Sequence, residues 1–340
     1  MALATLLGCG MRTPLGFNRA SSSAALRAGI SVIAQHPFMT DRFGQPMAVT
    51  RDAGLDPRTL AADRLAAMAI PAAKEALAPI AGQRADVSIV LSFGEARPGL
   101  SAEMCSLVSD RIYGALSKSI VPTGLRHSMG GHAGSIDGMR SGADLIASGK
   151  ADFVLVGGID SYLTADTLEW LDEIERLHSE NNIYGFCPGE AAGFVLLAAP
   201  SNAGTGLNIV GAGSGYEQNL IGTEDICLGE GLAEVFKAAA NPIAKGRTID
   251  RILCDMNGER YRGNEYGFAI LKTSGLFDDA ADFETPADCW GDVGAASGVL
   301  YAGLALEAYA RGHDQGPLTM IWASSEAGLR AALVMEQERP

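Results

Sequence analysis

The stretch "GFCPGEAAGFVLL", residues 185–197, anchors the reading of the whole chain. Pro188 and Gly189 mark a turn, and Glu190 is a lone carboxylate within it. The apolar run that follows, AAGFVLLAAP, is bounded by turn residues and reads as a buried strand. Cys187, just before the turn, has two readings. It lies near a pocket mouth, or it is a small buried hydrophobe, the commoner role for such a cysteine.

Upstream of this stretch, short apolar runs alternate with Ala-rich helical ones. ALATLLGCG (residues 2–10) precedes TLAADRLAAMAIPAAKEAL (59–77), where Pro71 predicts a kink or a break. Then come VSIVLSFG (87–94), the helical SAEMCSLVSDRIYGAL (101–116), the strand SIVPTG (119–124), a helix over 135–150 and the strand FVLVGGIDS (153–161). This alternation predicts α/β layers with buried strands.

Downstream, a loop of small polar residues (201–206) separates this half from a partial restart. LNIVGAGSGY (207–216) resembles the opening strand and turn. TEDICLGEGLAEVFKAAANPI (223–243) resembles the first long helix, with Thr223 as N-cap and Asn241-Pro242 as its stop. IDRILCDMNGE (249–259) parallels ADVSIVLSFGE (85–95), and LTMIWASS and AALVMEQ supply the last strand pair. A unit of over a hundred residues is a duplicated domain rather than a solenoid. The halves are residues 1–200 and 206–340.

Composition narrows the function. The 340 residues are 47% hydrophobic and 19% charged, the profile of a compact enzyme-like globule. A net charge of −14 disfavours nucleic acid as a partner, because phosphate binding needs cations. The six cysteines are scattered, with no CxxC and no Cys/His cluster, so neither a zinc site nor a disulfide framework is expected and a reducing cytoplasm fits. The opening residues lack a basic n-region and read as a first strand rather than a signal peptide. No apolar run approaches the ~20 residues of a membrane helix, so no membrane insertion is expected.

The order of motifs resembles the thiolase superfamily, and within it the β-ketoacyl-ACP synthases, over nearly the whole chain. LLGCGMRTPLG is similar to the family's opening strand and turn. MRSGADLIASGKADFVLVGGIDS is similar to the helix and strand after its nucleophile, GFCPGEAAGFVLL to its PGEGAG segment, and WGDVGAASG to its segment ending in GAAG or GASG. The resemblance implies a five-layer αβαβα fold of two pseudo-duplicated halves, usually a homodimer that pairs through the strand around Ser119 to Thr123. It also implies an acyl-thioester pocket between the halves for acyl carrier protein or acyl-CoA, with no cofactor and no metal. Glu190 would tie loops together through backbone N–H groups.

The family's catalytic set is replaced. By resemblance, its acyl-accepting Cys falls on His132 in RHSMGGHAGS, its His-Gly-Thr segment on Asn257-Gly258-Glu259, and its second His on Gly291, or on Asp292 after a one-residue shift. Its Lys falls on Pro286, and ASSEAG (323–328) replaces its Gly/Phe-rich gating loop. The candidate catalytic positions are therefore His132, Asn257 and Asp292, with Gly291, Glu259, Ser128 and Cys187 as pocket candidates.

His132 admits two roles. It is a general base or weak nucleophile, or a hydrogen-bonded, space-filling pocket residue, the reading we favour. At a helix N-terminus the dipole disfavours imidazolium, so a neutral ring is expected. Ser128 and Ser135 lack a G-x-S-x-G elbow and read as turn or helix-start residues. NGERYRGNEYG (257–267) packs charges of both signs, which usually means a solvated or salt-bridged loop. Its sharper readings are a carboxylate, Glu259 or Glu265, entering the old site to form an acid/base set, or an Arg pair gripping a phosphopantetheine phosphate. Three functions remain open: an acyltransferase of the 3-oxoacyl-ACP synthase class with non-standard chemistry, in fatty acid or polyketide biosynthesis; a catalytically silent partner subunit or scaffold, a pseudoenzyme; and a binding protein for an acyl group or other small ligand.

Overall fold

The computed structural model describes residues 2–200, 206–223 and 225–337. The first half runs β1 (Ala4–Arg12), α1 (Arg19–Arg27), β2 (Ala34–Thr40), β3 (Pro46–Val49), α2 (Ala61–Ala76), β4 (Asp86–Phe93), α3 (Ala102–Leu116), β5 (Val121–Ser128), α4 (Gly131–Ala147), β6 (Phe153–Ser161), α5 (Ala165–Glu173) and β7 (Glu190–Ala198). The second runs β8 (Leu207–Tyr216), α6 (Glu230–Ala240), β9 (Arg251–Cys254), α7 (Arg260–Leu271), α8 (Ala287–Trp290), α9 (Ser297–Arg311), β10 (Leu318–Ser324) and β11 (Leu329–Glu336).

The large sheet has the order β5-β4-β6-β7-β1-β8-β11-β10-β9. Only three residues of β1, Ala4 to Leu6, bridge to β8, so two strand sets meet at a narrow seam. Within each set the pattern repeats. β4 is parallel to β6, which pairs antiparallel with β7, which pairs antiparallel with β1. β9, β10, β11 and β8 follow the same order and sense.

Five layers result. α2 and α3 cover the outer face of the first set through Leu65, Met68, Val108 and Ile112. α6 and α7 cover the second through Phe236 and Tyr266, the latter stacked on Trp322 at 5.0 Å. α4 and α9 lie between the sets, where Ile136, Met139, Val299 and Leu300 meet Val156 and Leu333. Each such side chain removed from water contributes about 1.5–3 kcal/mol. α4 approaches the strands closely because its inward stripe is glycine: a Cβ on Gly138 would sit 3.1 Å from Val156, and one on Gly142 3.1 Å from Val154. The α/β thiolase-like architecture expected from the motif order is the one observed.

Several local expectations are corrected. α2 runs through Pro71 without a break. Thr223 does not cap α6: that helix starts at Glu230 behind Gly229, while the Thr223 hydroxyl donates to Leu220 O in a turn. The helix after His132 begins at Gly131, so His132 is inside its first turn. Residues 260–271 form a helix rather than a loop, with Arg262 and Glu265 buried. The expected linker, 201–206, lies outside the described residues except for Gly206.

Candidate functional site

The site assembles where the N-terminus of α4 meets the second half. Gly131 turns the chain at φ +63, and Gly130 supplies no side chain to cap the helix. Ser325, in the loop between β10 and β11, does that work instead. Its hydroxyl accepts from the Ala133 N–H at 2.9 Å and donates to Gly130 O at 2.6 Å. A helix end here needs such a partner because its first N–H groups have none within the helix.

His132 is 2% exposed. Its Nε2 lies 2.8 Å and 3.0 Å from the two carboxylate oxygens of Asp292. Asp292 also accepts from Asn257 Nδ2 at 2.7 Å and from the Gly294 N–H at 2.8 Å. Arg262 packs on the other side, with Nη2 3.5 Å from His132 Nδ1, and is itself held by Asp255 at 2.5 Å and Ser324 O at 2.9 Å. Burial opposes the imidazolium, and so does Arg262, yet attraction to Asp292 outweighs both and raises the His132 pKa above 6.5. Burial likewise opposes the Asp292 carboxylate, but His132, Arg262 and Asn257 hold its pKa well below the usual carboxylate range. The carboxylate in contact thus shifts the ring toward imidazolium, against the helix dipole from which a neutral ring is expected.

The structure thus gathers His132, Asn257 and Asp292. The one-residue shift is the geometry observed: Asp292 enters the site. Gly291 does not. Its φ is +73, and a Cβ there would sit 2.5 Å from Thr50 Oγ1 and 2.8 Å from Cys187 O. Asp292 is aimed by its backbone, which donates to Cys187 O at 2.8 Å and accepts from the Gly189 N–H at 2.8 Å. Cys187 therefore takes part through its carbonyl, while burial pushes its thiol up to about 11. Burial also lifts Cys105 to about 12. Ser128 is exposed at the end of β5 and makes no hydrogen bond to His132 among the described residues. His127 packs edge-on against Phe93, away from His132. Glu190, fully buried, binds Arg64 through both oxygens and accepts from the Asp52 N–H, the loop-tying role expected of it.

The charged stretch 257–267 divides. Glu259 binds Arg176 through both oxygens, at 2.7 and 2.8 Å, and accepts from Asn257 at 3.0 Å. It does not touch His132; Asn257 with Asp292, and Arg262 at 3.8 Å, stand between them. Glu265 pairs instead with Arg330 at 2.5 Å. The two arginines do not act together: Arg260 is exposed over the Tyr184 ring, and Arg262 is buried beside His132.

Sequence reasoning missed four contributors. Arg176 links Glu259 to Glu326, with Nη1 2.7 Å from the latter's carboxylate. Glu95 accepts from the backbone N–H groups of Glu326 and Ala327, at 3.2 and 2.7 Å, and holds their loop over His132. Arg97 pairs with Asp160 at 2.5 Å. Only the ASSEAG replacement pointed to any of these. Together with His132 and Tyr162 they line a cavity of about 230 Å³. That is room for roughly eight water molecules, and its walls carry these charged groups beside Trp170 and Leu171. Elsewhere, ligand-type atoms of Glu217, Cys227 and Glu265 lie within 4.8 Å of one another. Glu217 already accepts from the Gly231 and Gln218 N–H groups, and Glu265 is paired with Arg330.

No family model and no curated protein sequence matches this chain. Solved structures do. A complex described as AntDE:AntF, a type II PKS acyl-carrier protein with its ketosynthase bound to the hexaketide, contains a chain that superposes with a TM-score of 0.78 at 15% identity, covering 99% of each chain. A β-ketoacyl synthase from Burkholderia phymatum STM815 superposes at 0.74 with 16% identity over 100% of both chains. The complex of the ketosynthase ApeO with its chain length factor ApeC, from Xenorhabdus doucetiae, gives 0.73 at 16% identity over 98% of each. Backbone geometry alone carries the likeness, and it spans the full described chain: this protein has the thiolase-like fold of ketosynthases and chain length factors.

Proposed function

We propose that this chain is a catalytically silent ketosynthase-fold protein that acts as the partner subunit of a thiol-bearing ketosynthase. One observation carries the reading. Where the resemblance expects an acyl-accepting thiol, His132 stands buried with Nε2 committed to Asp292 and Arg262 Nη2 at 3.4–3.5 Å from both ring nitrogens, and Asp292 favours the imidazolium, which has no lone pair to offer an acyl carbonyl. His132, Asn257 and Asp292 are then a structural set that fills the site. The complexes of similar structures, a ketosynthase with its chain length factor and one with an acyl-carrier protein, support a protein partner of either kind. β5, at the edge of the sheet with Val121 exposed, supports pairing through that strand, with a second copy or with the ketosynthase. The repeated strand order supports dividing the chain at 1–200 and 206–340. Among the described residues no helix is long and apolar enough to cross a membrane.

The test is intact-protein mass after incubation with octanoyl-CoA and octanoyl-acyl carrier protein, together with native purification. We expect no acyl-sized mass gain, intact thioesters, and a stoichiometric Cys-bearing ketosynthase whose turnover requires this chain. A mass gain lost in one Cys, Ser or His132 variant overturns the silent reading. A chain that purifies alone and leaves ketosynthase turnover unchanged overturns the partner reading.

The cavity of about 230 Å³ beside His132 favours a second reading, a binding protein for a small polar ligand. Its charged walls and size oppose a long acyl chain.

A further inference from the structure

A cavity of about 630 Å³ lies away from His132, between α1 and the C-terminal end of α9. α9 begins beside α4, where a Cβ on Gly298 would meet Ser135 and Ile136, and runs 15 residues to Arg311. That places the cleft roughly 20 Å from the candidate site. Its floor is apolar: Ala20, Ala24, Leu26, Leu304 and Ala308.

Its rim is cationic on a chain of net charge −14. Arg27, Arg251, Arg311 and His313 line it, against the carboxylates of Glu284 and Glu307. Glu284 is committed to Arg251 at 2.6 and 2.9 Å. Glu307 is divided between Arg19 at 2.8 Å and Arg311 at 3.1 Å. Positive charge is therefore in excess, and among the described residues Arg27 has no ion-pair partner.

We propose that the α1–α9 cleft binds a small organic anion, a carboxylate or phosphate monoester on a short aliphatic body. Arg27 and Arg311 take the charged head, and Leu26 and Leu304 cover the body. The site is independent of the reading given to His132.

Isothermal titration calorimetry on the full chain tests it with octanoate, octyl phosphate, octanol and inorganic phosphate. We expect octanoate and octyl phosphate to bind with 1:1 stoichiometry, and octanol and inorganic phosphate at least tenfold more weakly. Whichever octyl anion is tighter identifies the head group, and either order supports the proposal. Arg27→Ala, which breaks no ion pair, is expected to weaken binding about tenfold. His132→Ala is expected to leave it unchanged. Octanol or inorganic phosphate binding as tightly as the octyl anions, affinity insensitive to Arg27→Ala, binding lost in His132→Ala, or no binding at all would each overturn it.

Discussion

His132 and Asp292, 160 residues apart, form a buried ion pair with Nε2 2.8 Å and 3.0 Å from the two carboxylate oxygens. Each side chain is about 3% exposed. The pair joins the start of α4 to the segment between α8 and α9.

The first prediction concerns pH. The folded pKa of His132 is raised above 6.5, so its contribution to stability is fully present below 6.5 and is lost as pH rises through the folded value. The folded pKa of Asp292 is lowered from 3.8, so its contribution is present above 3.8 and is lost as pH falls through the folded value. The pair is therefore most stabilising between about 4 and 6.5. Imidazole NMR resonances should show His132 titrating later than a free histidine. A neutral ring already at pH 6 would contradict the assignment.

Asp292→Asn should destabilise the fold by about 3 kcal/mol, because it leaves His132 and Arg262 facing each other without their shared carboxylate. Urea unfolding at pH 6 reads this directly. A variant as stable as the parent at that pH would mean the ion pair contributes nothing net.

His132→Cys should not restore condensation. A thiol at the start of α4 gains the helix dipole, but Asp292, Asn257 and Pro286 still stand where the resemblance places the assisting groups. Ketosynthase turnover of this single variant, measured with acyl and malonyl thioesters, is expected at background. Activity well above background would show that only the nucleophile had been lost.

Gly131→Ala should cost roughly 1–3 kcal/mol through backbone strain. The position has φ +63, and an added Cβ would sit 2.9 Å from Glu95 Cγ and 3.0 Å from Ser325 Oγ. Thermal unfolding checks the size of the loss. A neutral effect would mean that the loop of residues 325–328 moves aside freely.

Much of the fold was legible because buried strands and helices write their environment locally. The apolar runs of β4, β6, β7 and β8 match their sequence readings almost residue for residue, and Glu190 takes the loop-tying role that the resemblance implied, accepting from the Asp52 N–H. The boundaries that failed, at Pro71 and Thr223, depended on packing. α2 is held along its length by buried contacts with the sheet, and this outweighs the hydrogen bond that proline removes.

The sequence by itself determined the run of strands and helices and the absence of a thiol at residue 132. Only the tertiary structure decided that His132 lies inside the first turn of α4 and what it meets there. Its pKa is shifted by burial and by Asp292, Arg262 and Asp255, which arrive from other elements of the chain. The run 257–267 looked solvated because alternating charge normally is. Its Glu259, Arg262 and Glu265 are buried because Arg176, Asp255 and Arg330 meet their charges from the α5–β7 segment, the end of β9 and β11. Such pairings follow from where strands and helices cross, and local periodicity carries no record of them.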